Sequence, residues 1–454
     1  MSKNLKKTYL FEEASIPKVV FTLCIPTVIS SLVMVVYGLA DSYFVGMLND
    51  QLQNAAVTLA NPMLMLFNSV TALFGVGSSS LMSRAMGKKN YEQMKQCSAT
   101  GIYLSIFTGI LFTIVFTCFK SDILYLLGAD SSTVNVTDDY LFWTFTLGAV
   151  PSIFNVVAAY LVRCEGSPIH ASIGTMSGCL INILLDPLFV LESGFNMGVS
   201  GAGCATFISN CFASIYFLAL FYRRRDESFV SMSLKNITLT RVMMKDIFAT
   251  GLPAMLANLL TVTSQIVFNN VVSTYGSTAI AAMGIAFRID TIPLNISQGL
   301  ANGIMPVVGY NYASGNIKRM KKAFRFAISG AILFLSCVSL FYYFFSEIPI
   351  RMFINHPEVI KIGGRLLQGL CIALPFYSID TVSVGLFQAC GLGKITLCFT
   401  IARQLILQIP FIFLLDFLVP LYGVSYSYLC TEIILSICAI IVVRRFFISL
   451  NNCY

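Results

Sequence analysis

The sequence predicts an all-α fold: a polytopic membrane protein of twelve transmembrane helices, in two six-helix bundles related by a pseudo-two-fold axis along the membrane normal. Three observations predict it: an extreme composition, an alternation of charge between connections, and a repeat at half the chain length. Of 454 residues, 57% are hydrophobic and 11% charged, and the mean hydropathy is +0.79. A soluble domain carries about 25% charged residues, so an ordinary soluble globule, a disordered chain and a nucleic-acid binder are excluded. A membrane-crossing helix needs about 20 mostly apolar residues, so the apolar content supplies roughly twelve helices and few more.

Apolar runs fall at 18–44, 55–83, 98–119, 139–162, 168–191, 199–222, 247–272, 280–310, 324–345, 364–389, 395–416 and 421–443. The first is long enough to span, so it reads as span 1 and not as a cleavable signal peptide. With the N-terminus placed in the cytoplasm, the inner connections hold 23 of the 29 Lys and Arg, from Lys3, Lys6 and Lys7 through Arg223, Arg224 and Arg225 to Arg444 and Arg445. The outer connections hold Lys120, Arg351, Lys361 and Arg365 alone. That bias is a strong positive-inside signal and puts both termini in the cytoplasm. It also accounts for most of the net charge of +8, so no nucleic-acid partner is needed.

The most polar connection, 223–246, divides the spans six and six. It separates a first lobe, 1–222, from a second, 247–454. Residues 54–95 laid on 280–321 give seven identities without a gap, among them Ala56/Ala282, Gly77/Gly303 and Asn90/Asn316. Pro26 falls in step with Pro253, Pro151 with Pro375, and Gly166 with Gly391. Six spans per half is even, so the halves share one orientation. Such parallel repeats are a common plan for transporters that rock two bundles around a central site.

A charge at membrane depth costs about 2.5–3.5 kcal/mol on insertion scales, so ionisable residues there are functional candidates by default. They are Asp41, Asp186, Arg288, Asp290, Asp380, Arg403 and Glu432, with Asp416 near a span end. Asp41 lies near the outer end of span 1. Asn182 and Asp186 are four apart in the outer half of span 5, so they share a face. Thr206 lies about two turns below the outer end of span 6. These four residues can therefore meet at one depth in the first half. Two carboxylates, an amide and a hydroxyl are hard oxygen ligands suited to a small cation such as Na⁺. Two carboxylates close together in a low dielectric can equally share a proton.

The second half supplies a comparison. Val267 or Phe268 stands where Asp41 would be, and about Phe411 where Asp186 would be. A cluster that the fold itself required would recur there, so its absence favours function over a polar pin between spans 1, 5 and 6. Asp380, mid-span 10, has its counterpart near Asn155 and is a candidate substrate counter-ion or second coupling site. Arg288 and Asp290 are two apart and do not face each other. They, like Arg403 and Glu432, read as structural ion-pair partners across helices.

Fourteen cysteines show no CxxC pair and read as small apolar residues, and with His170 and His356 the only histidines, a His-based metal site is not expected. No HExxH, mid-span Lys or glycine-flanked aspartate points to a membrane-embedded enzyme.

The motifs carry a resemblance. "DSYFVG" (41–46), "RCEGSP" (163–168), "DPLFVLESGFNMGVSGAGCAT" (186–206) and "PVVGYNYASGN" (306–316) resemble, in order and along essentially the whole chain, the multidrug and toxic compound extrusion (MATE) family. The branch resembled is the MepA-like and DinF-like bacterial one. The resemblance implies a cation site at Asp41, Asn182, Asp186 and Thr206 and a location in the bacterial cell membrane. Two departures stand out. Span 7, "LPAMLANLLTVTSQ" (252–265), lacks the acid that another branch carries there, and Ala313 replaces a usual glycine.

The function implied is a cation-coupled antiporter, driven by H⁺ or Na⁺, that exports amphipathic organic cations by alternating access. It requires no cofactor and is expected to be monomeric in the bilayer. Pro26 is the candidate bend in span 1, because its missing N–H weakens the helix. Aromatic and Met side chains suit varied cations, and Met34, Tyr37, Met65, Phe154 and Met255 lie on plausible lining helices. The alternatives are a lipid-linked saccharide flippase of the same superfamily, or a membrane enzyme or channel.

Overall fold

The computed structural model describes residues 9–48, 50–225 and 227–453. Lys3, Lys6 and Lys7 of the inner-face charge lie outside them. Among the described residues there is no strand, and ten helices are long and apolar enough to cross a membrane. They are α1 (Ile16–Met47), α2 (Gln51–Gly87), α3 (Tyr91–Cys118), α5 (Pro168–Val190), α6 (Gly198–Arg223), α7 (Arg241–Ser273), α8 (Ser277–Ala313), α9 (Ile317–Phe344), α11 (Gly393–Leu418) and α12 (Tyr422–Cys453). The remaining two spans are bent pairs. In α4, Val134–Leu147 and Ala149–Cys164 meet at 49°, and in α10, Pro357–Cys371 and Leu374–Ala389 meet at 45°. The chain is therefore a multi-pass membrane protein, with twelve spans among the described residues when each bent pair counts as one. Large apolar side chains on its outer faces, such as Leu184 and Phe107, are exposed, as a lipid-facing surface requires.

The two bends share a feature. Pro151 and Pro375 sit in the first turn of the second segment of α4 and α10, where each missing N–H leaves one carbonyl of the preceding turn without its helical partner. The repeat is visible in the elements themselves. Both α2 and α8 have 37 residues, both α3 and α9 have 28, and the second segments of α4 and α10 have 16 each. Short helices, Lys120–Leu126 and Glu347–Arg351, follow α3 and α9.

The chain forms two compact units. One comprises residues 29–255 together with residues 9 and 10; the other comprises 11–28 and 256–453. The division therefore differs from a cut at the central connection. It runs through the interior of α1 and of α7, two or three residues after Pro26 and Pro253 in each case. Both helices continue unbroken through their prolines.

Close backbone approach explains the glycine pair in the repeat. Within the first unit, a Cβ on Gly77 would run into the Ile247 carbonyl oxygen, and one on Gly251 would run into that of Leu73. Within the second, a Cβ on Gly303 would stand 2.8 Å from Cys24 Cα. Membrane helices gain little from hydrophobic burial against one another, so small residues that allow this contact hold them. The Asn90/Asn316 pair has an equally local reason. Each side chain caps its helix, accepting from the Gln93 N–H and the Arg319 N–H, both at 3.1 Å.

Of the cysteines, Cys24, Cys97, Cys164, Cys204, Cys371 and Cys390 are buried, while Cys118, Cys337, Cys398 and Cys438 are exposed. The expectation of buried cysteines thus holds for part of the set, and the others lie on the outer faces of spans.

Candidate functional site

In the first unit the Pro187-containing end of α5 leads into a tight turn to α6. Asn196 and Gly198 both take positive φ (51° and 60°), and a Cβ on Gly201 would collide with the Phe189 carbonyl. The glycine-rich run after Asp186 is thus what lets α6 return against α5. The return places Thr206 opposite Asn182, both carried on rigid helices.

Asn182 and Asp186 are fully buried. With its amide oriented to satisfy both faces, Asn182 donates to Asp186 Oδ2 at 2.9 Å. Its carbonyl oxygen then accepts from Thr206 Oγ1 at 3.2 Å and from the Thr206 N–H at 3.1 Å; the orientation is assigned by this network. Asp41 lies within electrostatic reach of Asp186, and Tyr37, one turn earlier on α1, reaches the Thr206 side chain. Asp41 Oδ1 is buried and accepts no hydrogen bond from a described residue. The structure thus brings Asp41, Asn182, Asp186 and Thr206 together. A carboxylate is an acceptor only, so a buried oxygen left without a donor is a place for a proton or a small cation. Tyr140 of α4, also near Asp41, Tyr37 and Asp186, is not visible in the sequence, because nothing in its spacing ties it to them.

The corresponding region of the second unit is apolar. Phe268 is fully buried, and its ring meets that of Phe287 edge-on at a centroid distance of 4.7 Å. Ile412 is buried in the same core as Phe268.

The second unit carries a different charged group. Arg403 approaches Glu432 Oε1 at 2.5 Å through Nη2 and Asp380 Oδ2 at 3.6 Å through Nη1. The guanidinium also lies 4.6 Å from the centroid of the Tyr377 ring. Asp380 and Glu432 are almost wholly buried, and Asp380 Oδ1 accepts no hydrogen bond. Arg403 stands in the π-helical stretch Ala402–Gln408 of α11. At Asp380's counterpart, Asn155 is satisfied by the Pro151 carbonyl and Asn210 Oδ1, each at 2.8 Å.

The expected pairing of Arg403 with Glu432 is therefore observed, whereas the partners expected for Arg288 and Asp290 on other helices are not found among the described residues. Arg288 is exposed and Asp290 buried, and neither forms an ion pair with a described residue. Two residues apart, they point about 200° apart around the helix, and no described opposite charge stands across from either. Phe154 is also corrected: it is buried in the packing of α4. Met34 and Met65 are exposed, and Tyr37 and Met255 partly so. Asp416 has a local role at a span end, accepting from Tyr275 Oη at 2.8 Å and from the Leu421 N–H at 3.1 Å.

Twelve spans in two repeated sets of six, with buried charged groups in both sets and the Asp41–Asp186 cluster in the first alone, are the plan of a membrane transporter. The MatE family profile matches residues 26–188 and 253–414, and the chain belongs to that family. Its relatives agree. The Multidrug export protein MepA of Staphylococcus haemolyticus is 32% identical over 439 residues, 96% of this chain and 95% of that one. The Staphylococcus aureus protein of the same name is 30% identical, covering 96% of each. A solved structure described as the outward-facing conformation of a multidrug resistance MATE family transporter of the MOP superfamily is similar with a TM-score of 0.92. It is 26% identical and covers 100% of this chain and 99% of that one.

Proposed function

We propose that the protein is a cation-coupled antiporter that exports amphipathic organic cations, with H⁺ or Na⁺ as the coupling ion. The observation that carries this reading is the unpartnered, buried Asp41 oxygen beside the Asp186–Asn182–Thr206 network. It occurs in a chain whose relatives are multidrug export proteins. The ion enters from outside and occupies Asp41 and Asp186. Neutralising them lets α1 move about Pro26, at the point where the helix passes from one compact unit to the other. Substrate then leaves outward, and the emptied protein returns to release the ion. Substrate and ion must favour different states for this to couple. The protein acts alone in a bacterial cell membrane, with both termini inside, and has no nucleic-acid partner. Exposed Met34 and Met65 suit an adaptable cargo surface, and Asp380 serves as a charged contact for cationic substrate.

The test uses purified protein in liposomes. Uptake of an organic cation should follow an imposed pH or Na⁺ gradient, and Asp41→Asn or Asp186→Asn should abolish it. Wild-type transport rates in either variant would overturn the assignment.

A further inference from the structure

The segment joining α6 to α7 is a strap folded onto the first unit. Phe229 and Val230 are buried, and Phe229 stacks on Tyr91 with ring centroids 5.1 Å apart. Buried Glu165 accepts from Ser228 Oγ at 2.8 Å and from the Phe229 N–H at 3.0 Å. Further along, Ser98 Oγ accepts from the Ser231 N–H at 3.0 Å, and Tyr103 donates to the Met232 carbonyl at 2.7 Å. The Thr238 N–H closes the strap on Thr100 Oγ1 at 3.0 Å. The "RCEGSP" motif thus supplies the acid that anchors it.

The strap, the end of α6 and the start of α3 line an open cleft of about 630 Å³, a size typical of small-ligand sites. Its lining combines the cationic and polar Lys95, Arg225, Ser231, Ser233 and Asn236 with apolar Leu218 and Tyr222 of α6, both also exposed. No described carboxylate lines the cleft. Neither Lys95 nor Arg225 has an ion-pair partner among the described residues. Among the described residues, the strap therefore leaves two positive charges uncompensated beside hydroxyl and amide groups, at the polar end of a membrane span.

We propose that this cleft binds the phosphodiester headgroup of an anionic phospholipid. Lys95 and Arg225 would neutralise the phosphate, as basic pockets at membrane boundaries do. The Ser233 hydroxyl and Asn236 amide would bind its remaining polar groups, and an acyl chain would run along Leu218 and Tyr222. The apolar part of the lining favours a lipid over a free phosphate ester, which has nothing to place there.

The test is thermal unfolding of the full-length protein in a neutral detergent. It is titrated with phosphatidylglycerol, phosphatidylcholine or glycerol 1-phosphate. Phosphatidylglycerol should raise Tm saturably and at lower concentration than the other two. At about 1 kcal/mol per cation near a lipid headgroup, the Lys95→Gln/Arg225→Gln double variant should need about 30-fold more of it. A charge-matched control, Lys322→Gln/Arg444→Gln, should behave as wild type. Ser233→Asp, at an exposed strap position, should weaken the response without lowering the lipid-free Tm, which keeps the test valid if the double variant folds poorly. Three results would overturn the proposal: an equal response to phosphatidylcholine, an unchanged response in the double variant, or an equal loss in the control. Saturation by glycerol 1-phosphate at the same concentration would also overturn it, assigning the cleft to a soluble phosphate ester.

Discussion

Asp41 and Glu432 are both buried carboxylic acids, yet their surroundings give them different roles. Glu432 faces the Arg403 guanidinium at 2.5 Å, whereas Asp41 Oδ1 faces no donor among the described residues. Breaking a buried ion pair by removing one partner strands the other charge and costs about 3–5 kcal/mol. Glu432→Gln should therefore lower stability by about 3 kcal/mol, at the low end because the guanidinium side chain is 22% exposed. Replacing the whole group, Arg403→Met with Glu432→Leu and Asp380→Leu, should recover most of the loss, because no buried charge is then left without a partner. Thermal unfolding in detergent reads both, and equal loss in the single and triple variants would show that pairing is not the cause. Asn182→Leu removes the donor to Asp186 and the acceptor for Thr206. It should reduce liposome transport by at least about tenfold, the usual scale for losing a partner that orients an ion-binding group. An unchanged rate would leave Asp186 without need of Asn182. The first-unit set was legible because the four-residue spacing of Asn182 and Asp186 and the depths of Asp41 and Thr206 are properties of the sequence. Arg403, Asp380 and Glu432 come from three spans, and no spacing links them.

At the scale of elements, small residues and caps decide how spans meet. Gly251→Ala would drive a methyl group into the Leu73 carbonyl. The cost should be about 1–3 kcal/mol of stability, the range for overpacking. Gly330→Ala meets nothing within 4 Å in α9 and should gain about 0.5–1 kcal/mol from helix propensity. A shared outcome for the two variants in a thermal melt would argue against close contact as the reason for Gly251. The bends of α4 and α10 were half-legible: Pro151 and Pro375 stood in register in the sequence, but a proline inside a span does not by itself say kink or break. Pro26 and Pro253 lie in unbroken helices, whereas Pro151 and Pro375 begin new helical segments. The "PVVGYNYASGN" motif likewise acts locally. Its Tyr310 donates to Glu12 Oε1 at 2.5 Å, and Arg319 just beyond the motif holds the Phe11 and Ala14 carbonyls.

At the scale of the whole molecule, the halves of the sequence and the compact units are not the same thing. Residues 241–255 of α7 belong to the first unit and residues 11–28 to the second. A polypeptide ending at residue 225 would lack the Ile247 and Gly251 backbone on which Gly77 and Leu73 of α2 pack. Expressed alone, fragment 1–225 should be degraded or aggregate, and co-expression with 227–454 should restore a co-purifying pair. A monodisperse, thermally stable 1–225 fragment would show that the first unit does not depend on α7. The sequence by itself determined the membrane class, the number of spans, the repeat and the asymmetric acidic set, because hydropathy, charge and spacing are properties of neighbours along the chain. It also contained the family, in motifs that keep their order. Only the tertiary structure decided which prolines bend a span, which buried charges find partners, and where the units divide. Those outcomes depend on what another helix presents across a gap of a few ångströms, and for Asp41 Oδ1 no described residue presents a donor.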